Sequence, residues 1–298
     1  MLTPLETKSG PPLDKMFLTG PKRKILVSIF FVIFLSIFLA VNFIRRQYVA
    51  PIIMYHMIDT KINPYVQRLI VFPRAFERQM LFLKEHHYNV VPLETLAFLI
   101  RDKKKIPPKT IAITFDDGNK DNYTNAFPIL KKYELPATMF IIVDEVGRPQ
   151  GDRLSWDEIK LMQDSGIITF GSHSLGPEPL VNIKSDAELK RQIFASKIAL
   201  EEKLGREVNI FSYPEGKFNS KIRQLVIDAG YKIAVATNPG KKFPSDDIFA
   251  LKRLRISSSS DNLFVFWIET SGFYNFTRER RHKHPLPPRR WDRLGQDR

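Results

Sequence analysis

The chain of 298 residues is long enough for one α/β domain of about 200 to 250 residues with further segments at its ends. Hydrophobic residues make up 43% of it and aromatic residues 12%, a composition that excludes wholesale disorder. Cysteine is absent, which excludes disulfides and thiolate chemistry, so any metal must be bound by His, Asp or Glu.

The net charge of +14 is concentrated at the two ends of the chain. Residues 1–46 carry seven Lys or Arg against two acidic residues, residues 278–298 carry eight against three, and each end therefore has a net charge of +5. Residues 47–277 keep only +4, which is ordinary for a protein surface. We therefore expect no nucleic-acid partner, and anionic lipid or a cell-surface polymer is the expected partner of the basic ends.

The first element predicted along the chain is a transmembrane helix at residues 25–44. Their sequence, ILVSIFFVIFLSIFLAVNFI, carries no charge and has the length that a helix needs to cross the hydrocarbon core. The run is too long for the apolar region of a cleavable signal peptide and lacks a small-x-small cleavage site, so we predict an uncleaved anchor rather than a buried core helix. More basic residues precede it than follow it, which predicts a cytoplasmic N-terminus and a periplasmic or extracellular remainder.

Four segments follow from these patterns. A cytoplasmic stretch at 1–24 precedes the anchor at 25–44, and one globular domain occupies 50–277. Residues 278–298 are basic and proline-rich, and we predict a disordered tail there.

Within residues 50–277, short apolar runs alternate with stretches of helical periodicity, which predicts βα units around a parallel sheet or barrel. The predicted strands are Pro51–Tyr55, Tyr88–Pro92, Thr110–Phe115, Ala137–Val143, Ile167–Gly171, Val208–Tyr213, Lys232–Ala236 and Leu251–Ile256. The predicted helices are Arg74–His87, Leu93–Arg101, Tyr123–Tyr133, Trp156–Asp164, Asp186–Leu204 and Lys221–Ala229.

The predicted strand 110–115 ends in Asp116-Asp117-Gly118, and the carboxyl ends of strands are where α/β barrels place their active sites. Two adjacent carboxylates repel each other unless a cation or a shared proton relieves them, and they point in different directions from an extended chain. One can bind a metal while the other activates water. The alternative is an Asp-Asp-Gly turn in which an Asp caps the next helix.

A second strand end reads Gly171-Ser172-His173-Ser174. A lone His173 would more often be a hydrogen-bonded structural residue, but imidazole together with carboxylate is a common zinc ligand set. Two strand ends with complementary ligands therefore favour a divalent metal site.

Three further features are candidates for contacts with a substrate. The strand end Phe211-Ser212-Tyr213-Pro214-Glu215-Gly216 either forms a groove wall that presents backbone N–H groups to an oxyanion or is a plain exit from strand to turn. Trp156, ahead of a predicted helix, is either a platform for stacking a sugar or part of the core. His56 ends the first predicted strand and could point into the same pocket.

In this order and spacing, the motifs resemble those of the polysaccharide deacetylase family, which has the NodB homology domain and is also called carbohydrate esterase family 4. The resemblance is carried by Thr114-Phe115-Asp116-Asp117-Gly118, Ser172-His173-Ser174, Phe211-Ser212-Tyr213-Pro214-Glu215-Gly216 and Ser155-Trp156-Asp157-Glu158-Ile159-Lys160. Met54-Tyr55-His56 and Phe72-Pro73-Arg74-Ala75-Phe76-Glu77 are similar to the branch that includes exported poly-N-acetylglucosamine deacetylases. The resemblance spans about residues 50–270 and implies an α/β fold, a distorted (β/α) barrel of the NodB type, preceded here by one transmembrane helix.

The resemblance also implies an activity, the removal of N-acetyl groups from the amino sugars of a polysaccharide. The metal would be divalent, with zinc expected and manganese, cobalt, nickel or magnesium as alternatives. It would polarise the amide carbonyl and lower the pKa of water, whose proton a carboxylate accepts. The implied roles are Asp116 as general base, Asp117 and His173 as metal ligands, Tyr213 as backbone donor to the oxyanion, and Trp156, Pro214 and His56 as substrate contacts.

Two positions depart from the family pattern. The family places a second metal-binding His four residues after the first, where this chain has Pro177, and some exported members place a ligand five residues on, where it has Glu178. We therefore predict Glu178 as a third ligand, with a solvated turn residue as the alternative. The late His that serves the family as general acid has no counterpart at a strand end, because only His282 and His284 follow His173. A catalytically inactive, deacetylase-like carbohydrate-binding or scaffold protein is therefore the alternative function.

Overall fold

The computed structural model describes residues 21–46, 49–60, 67–237 and 247–273. The chain divides into two compact units, Met1–Tyr48 and Val49–Arg298. Most of the predicted segment 1–24 and the whole predicted tail 278–298 lie outside the described residues.

In the first unit, helix α1 spans Pro21–Arg46 and includes the whole predicted anchor segment. Its side chains at 24–39 are all exposed. Judged on the described residues, no helix combines the length and the apolar character that crossing a membrane requires. The anchor at 25–44, its orientation and the location of the second unit therefore stay predictions from the sequence.

The second unit is built on a parallel sheet of short, apolar strands. The described strands are β1 (Ile52–Tyr55), β2 (Met57–Ile58), β3 (Ile70–Val71), β4 (Asn89–Val90), β5 (Thr110–Phe115), β6 (Ala137–Ile141), β7 (Ile168–Ser172), β8 (Ile210–Ser212), β9 (Ile233–Ala236), β10 (Leu251–Lys252) and β11 (Leu254–Arg255). The order in the main sheet is β10-β9-β8-β7-β6-β5-β1-β11, β4 also pairs with β5, and β2 pairs with β3 separately. β5 is buried along its entire length, as expected of a strand that is covered on both faces.

One stretch of chain joins the two ends of the sheet. β10 pairs with β9 and β11 pairs with β1, and only Arg253 separates the two short strands. The N–H of Arg253 donates to Ala236 O at 2.9 Å. Because this stretch pairs with both terminal strands, the sheet becomes a nearly closed parallel (β/α) barrel, and Arg253 lies at the point of closure. The barrel part of the predicted fold class is confirmed, while the preceding transmembrane helix stays a prediction.

The helices of the second unit each bury an apolar face. They are α2 (Pro73–Glu85), α3 (Leu93–Arg101), α4 (Phe127–Tyr133), α5 (Trp156–Asp164), α6 (Asp186–Leu204), α7 (Ser220–Asp228) and α8 (Leu263–Thr270). α5 begins with a capping box, in which Ser155 and Glu158 satisfy each other's backbone N–H groups. α6 begins after Ser185, whose side chain accepts from Glu188 N–H, and ends at Gly205 with a φ of 65°.

An aromatic cluster lies beneath the strand ends of β1 and β5. The ring of Tyr55 stacks on Phe115 at 5.3 Å and meets the edge of Phe76, on α2, at 5.1 Å. All three side chains are fully buried. Such pairs contribute about 0.5–1.5 kcal/mol each beyond the burial of their area, so the cluster fixes the two strands that carry the Asp116-Asp117 motif and His56.

The structure alters two of the predicted segments and adds two strands and a helix that were not predicted. The predicted helix 123–133 starts with a π-helical stretch at Asn122–Ala126 before α4. The predicted strand 251–256 is divided into β10 and β11. β2, β3 and α8 were not predicted: the two strands are two residues long, and α8 (LFVFWIET) begins with a continuous apolar run that shows no helical period.

Candidate active site

A pocket of about 440 Å³ lies at the carboxyl ends of the barrel strands. Among the predicted site residues, His56, Asp116, Asp117, His173 and Pro214 line it. Tyr213, Trp156 and Glu178 are not among its lining residues. The structure therefore brings the base and the first two predicted ligands together, but leaves three other predicted residues outside.

Sharp turns follow three of the strands at this rim. Asp117 after β5, Ser174 after β7 and Glu215 after β8 have φ values of 75°, 70° and 54°. Left-handed conformations cost roughly 1–2 kcal/mol for residues with a side chain and are concentrated at functional sites. At each strand end the chain therefore turns abruptly at the pocket.

The two adjacent carboxylates occupy different environments. The N–H of Asp116 still donates to Tyr55 O, at 3.0 Å, and the residue is 3% exposed. The side chain of Asp117, beyond the turn, is 27% exposed. Gly118, with a φ of 68°, completes the turn, and a Cβ there would meet Ile141 Cδ1 at 3.0 Å. The turn thus gives one buried and one pocket-facing carboxylate.

Arg253 holds the buried carboxylate. Its Nη1 and Nη2 donate to the two oxygens of Asp116, each at 2.6 Å, and Nη2 also donates to Ser212 Oγ at 2.8 Å. Burial alone would raise the pKa of Asp116, but the charge of Arg253, with smaller contributions from His173 and His56, outweighs it and lowers that pKa to about 2. Asp116 is therefore ionised at neutral pH, and each oxygen keeps a further lone pair for a proton.

His173 is oriented from the neighbouring strand. Its Nδ1 lies 2.8 Å from Ser212 O, a backbone acceptor, so Nδ1 carries the hydrogen and Nε2 faces the pocket. Nε2 lies 3.5 Å from Asp117 Oδ1 and 3.9 Å from Asp116 Oδ2. A neutral imidazole would thus direct its lone pair at a carboxylate, an arrangement that only a cation or an added proton makes favourable.

The spacing of this pair fits a divalent metal. Two ligand atoms at about 2.1 Å from a tetrahedral Zn²⁺ are about 3.4 Å apart. The separation of 3.5 Å between His173 Nε2 and Asp117 Oδ1 matches that value, and the bond from Nδ1 to a backbone carbonyl is the outer-shell partner that metal-binding histidines have. Asp117 and His173 therefore fit two positions of a metal site.

The third predicted ligand is not part of this arrangement. Glu178 is exposed and does not line the pocket, whereas Pro177 does. Over the described ranges, no group of three or more His, Cys, Asp or Glu side chains could hold a metal ion. Pro177 and Pro179 flank Glu178 and restrict the backbone on either side of it. This placement agrees with the alternative reading of Glu178 as a solvated turn residue.

The predicted oxyanion donor requires a correction. The N–H of Tyr213 donates to Val235 O at 3.1 Å, so the sheet has already used it, and the Tyr213 side chain is buried with its hydroxyl donating to Phe249 O at 2.9 Å. Pro214 has no N–H. The next backbone donor is Glu215, which lines the pocket and lies in the first turn of the short 3-10 helix Pro214–Gly216, where N–H groups have no acceptor within the helix.

Trp156 and His56 differ in how they relate to the pocket. Trp156 is partly buried against the hydrophobic core, with Lys203 Nζ 5.8 Å from its ring centroid, which is the core-packing alternative. His56 lines the pocket, and its Nδ1 is buried without a partner in the described part of the chain. Burial lowers the pKa of His56, and the charges of Asp116 and Asp117 only partly oppose this.

Arg253 and Ser212 were missed as functional residues by the sequence reasoning. Ser212 contacts both halves of the site, since its backbone oxygen accepts from His173 and its hydroxyl accepts from Arg253. The sequence signal for Arg253 is a charged residue in the middle of the predicted strand 251–256, and the structure shows that this residue is buried. A third missed residue, Arg153, lines the pocket and is held by Glu145, whose Oε2 lies 2.6 Å from its Nε.

Fold and site together define a barrel hydrolase with a buried carboxylate base beside a His–carboxylate pair. Known proteins agree with this description. A family model described as polysaccharide deacetylase matches residues 103–234. YxkH of Bacillus subtilis, assigned to the polysaccharide deacetylases, is 31% identical over 221 residues, which cover 74% of this chain and 76% of that protein.

Two further relatives are a protein whose name states its substrate and a protein whose structure has been solved. The poly-beta-1,6-N-acetyl-D-glucosamine N-deacetylase of Staphylococcus aureus is 28% identical over 213 residues, 68% of this chain and 73% of that protein. The crystal structure of a polysaccharide deacetylase from Bacillus cereus superposes with a TM-score of 0.64 and 33% identity, covering 74% of this chain and 68% of that one. The chain belongs to the polysaccharide deacetylase family, and it is a hydrolase of carbon–nitrogen bonds other than peptide bonds.

Proposed function

We propose that this chain is a membrane-anchored, metal-dependent deacetylase that removes N-acetyl groups from the amino sugars of a polysaccharide outside the cytoplasm. One observation carries the catalytic part of the proposal. In a single pocket, the buried and ionised Asp116 lies next to the pair formed by Asp117 Oδ1 and His173 Nε2. This arrangement provides a proton acceptor beside two metal ligands.

Asp117 and His173 are the residues that would hold the metal. A divalent cation there supplies polarisation of the amide carbonyl and a lowered pKa for water. The bond from His173 Nδ1 to Ser212 O fixes the ring so that Nε2 stays directed at the pocket. Zinc suits an imidazole–carboxylate pair, and manganese, cobalt, nickel or magnesium are the alternatives.

Asp116 is the proton acceptor. It takes a proton from the attacking water, whose oxygen forms the new bond to the acetyl carbon. Arg253 keeps the carboxylate ionised and fixed in orientation, because both of its oxygens receive a hydrogen bond from the guanidinium. Glu215 lines the pocket, and its N–H replaces that of Tyr213 as the proposed backbone donor to the negative charge that develops on the acetyl oxygen.

The carbon–nitrogen bond then breaks, and the leaving nitrogen must gain a proton. Asp116 is the proposed source, because it has just accepted a proton from the water and lines the same pocket. This assignment gives the reaction a general acid without a histidine late in the chain. The products are acetate and a free amino sugar.

The substrate class is supported by the relative from Staphylococcus aureus, which acts on poly-β-1,6-N-acetyl-D-glucosamine and is 28% identical to this chain. The pocket volume of about 440 Å³ accommodates one sugar residue with its N-acetyl group, and small-molecule sites start at about 300 Å³. We therefore propose an N-acetylglucosamine polymer as the substrate.

An inactive carbohydrate-binding protein is the second candidate. It is favoured by the position of Glu178 outside the pocket, while Pro177 occupies the wall where a third ligand would be expected. Its distinguishing result is binding of glycan without release of acetate.

The decisive experiment measures bound metal and acetate release from N-acetylglucosamine oligomers, using the full chain in detergent. Asp117→Asn and His173→Gln should each abolish both bound metal and acetate release. Glu178→Gln is the matched control, and we expect it to leave both unchanged because the side chain is exposed outside the pocket. Absence of metal and of acetate in the wild type would contradict the enzyme proposal, and a loss of metal in Glu178→Gln would restore that residue as a ligand.

The anchor and its orientation are tested separately. The uncharged run at 25–44 and the greater number of basic residues before it support a cytoplasmic N-terminus and a periplasmic or extracellular second unit. A reporter fused after Arg298 should be active only outside the cytoplasm. Activity of a cytoplasmic reporter at that position would overturn the orientation.

A further inference from the structure

We propose that the second unit has its own membrane-binding face, formed by the exposed aromatic side chains of α8 and supported by the basic residues that follow it in sequence. Its partner is the surface of an anionic lipid bilayer. The inference rests on the proposed anchor and adds a second, independent contact between the protein and the membrane.

The α8 face consists of Phe264 and Trp267. Their side chains are 65% and 47% exposed, and their ring centroids are 5.7 Å apart. Three residues apart, they occupy one side of the helix. Large neighbouring aromatics exposed together mark interaction surfaces, and Trp in particular concentrates at the interface between membrane and water.

The opposite side of α8 is fixed to the domain. Phe266 is fully buried and meets the edge of the Phe82 ring at a centroid distance of 6.0 Å. Thr270 is also buried, and its hydroxyl lies 3.2 Å from the hydroxyl of Tyr88. The aromatic pair therefore cannot turn inward without breaking this packing, so the α8 face stays on the outside.

The α8 face lies near the point where the chain enters the second unit. The N–H of Val49, the first residue of that unit, donates to Gly272 O at 3.0 Å. A helix rises 1.5 Å per residue along its axis, so the eight residues from Phe264 to Gly272 correspond to about 12 Å. Four residues, 45–48, separate Ile44, the last residue of the apolar run, from Val49, and the five Cα–Cα steps reach at most about 18 Å.

The positive charge of residues 278–298 favours lipid over glycan as the partner of the α8 face. The sequence at 278–298 begins six residues after Gly272 and has a net charge of +5. Basic residues next to a membrane-seeking segment strengthen its binding to anionic lipid, whereas a neutral N-acetylated glycan offers such charges no partner. Neither Phe264 nor Trp267 lines the pocket, so the face is separate from the proposed substrate site.

The absence of cysteine allows a direct test in the full chain. Phe264→Cys is labelled with an environment-sensitive fluorophore, and Ile198→Cys, on α6 and 55% exposed, is the matched control. Both are reconstituted in vesicles of equal parts phosphatidylcholine and phosphatidylglycerol. We expect a blue shift at position 264 and loss of its fluorescence with nitroxide-labelled lipid, but neither change at position 198. High salt or pure phosphatidylcholine should reduce the signal at 264.

Two results would overturn the inference. One is a label at 264 that remains as exposed to water as the label at 198 although the chain floats with the vesicles. Flotation would then support the anchor, and only the α8 face would be refuted. The other is a label at 264 that responds to N-acetylglucosamine oligomers rather than to lipid. A chain that fails to float refutes both the anchor and the α8 face. Acetate release in the same samples reports on the catalytic proposal, because a double Phe264→Ser, Trp267→Ser variant should cleave soluble oligomers at the wild-type rate.

Discussion

Replacing Arg253 with methionine tests the central contact of the site. Methionine retains much of the aliphatic volume but removes both hydrogen bonds to the Asp116 carboxylate. Asp116 is 3% exposed and Arg253 is 1% exposed, so water cannot take over the role of the guanidinium. The substitution therefore leaves an uncompensated negative charge inside the barrel.

The size of the effect follows from this burial. A pKa of about 2 for Asp116, against the ordinary 3.8, corresponds to about 2 kcal/mol in favour of the ionised form in the folded state. That stabilisation is present above the ordinary pKa and is lost as the pH falls from about 4 to about 2. Without Arg253 the effect of burial dominates, so the pKa of Asp116 should rise above 3.8. Removing one partner of a buried ion pair costs about 3–5 kcal/mol of unfolding free energy.

The measurements are urea unfolding and the pH dependence of acetate release. For Arg253→Met we expect a loss of about 3–5 kcal/mol, a lower rate and an acidic limb that moves to higher pH. Arg206→Met is the control, since it removes the same charge from an exposed position that does not line the pocket. If both variants had the wild-type acidic limb and the same small loss of stability, Arg253 would not control the ionisation of Asp116.

Three further outcomes are expected. Burial raises the pKa of Asp121 to about 6 from 3.8, so about 3 kcal/mol of stability should be present below pH 4 and disappear as the pH rises to 6. In Asp121→Asn, urea unfolding should lack this pH dependence; a persistent slope would assign it to another group. Gly216→Ala should disrupt the site, because the added Cβ would lie 2.6 Å from Thr237 N. The control is Gly147→Ala, which has a similar left-handed conformation but open space around it and should lose only about 1–2 kcal/mol of unfolding free energy. Equal losses of stability in thermal unfolding would contradict the clash. Tyr213→Phe should lose about 1 kcal/mol with unchanged acetate release, and a large drop in rate would return Tyr213 to the catalytic machinery.

Local chemistry made much of the fold predictable. The bounds of α5 and α6 agree with the predicted helices because Ser155 and Ser185 cap their first turns through short-range hydrogen bonds. β5 was predicted to the residue because its apolar run ends abruptly at two carboxylates. The regions that were missed or divided, such as β10 and β11, depend on pairing with strands far away in the sequence.

The site was predictable only where a motif is contiguous. Asp116, Asp117 and His173 could be named because each directly follows an apolar strand, and parallel strands bring their carboxyl ends together. Tyr213 was assigned a role for a backbone N–H that a neighbouring strand had already bound, a fact of sheet pairing that no local pattern contains. Glu178 has the right chemistry, but its side chain is exposed outside the pocket.

The sequence by itself determined the kind of chemistry, namely carboxylates and imidazole at strand ends, an uncharged run of about the length of a bilayer, and no cysteine. The tertiary structure alone decided which carboxylate is buried, which backbone N–H remains available, and which cation stabilises the base. Arg253 is separated by 137 residues from Asp116, and only closure of the barrel brings the two charges together. Such a contact has no local signature, because its energy comes from excluding water around groups that are distant in the chain.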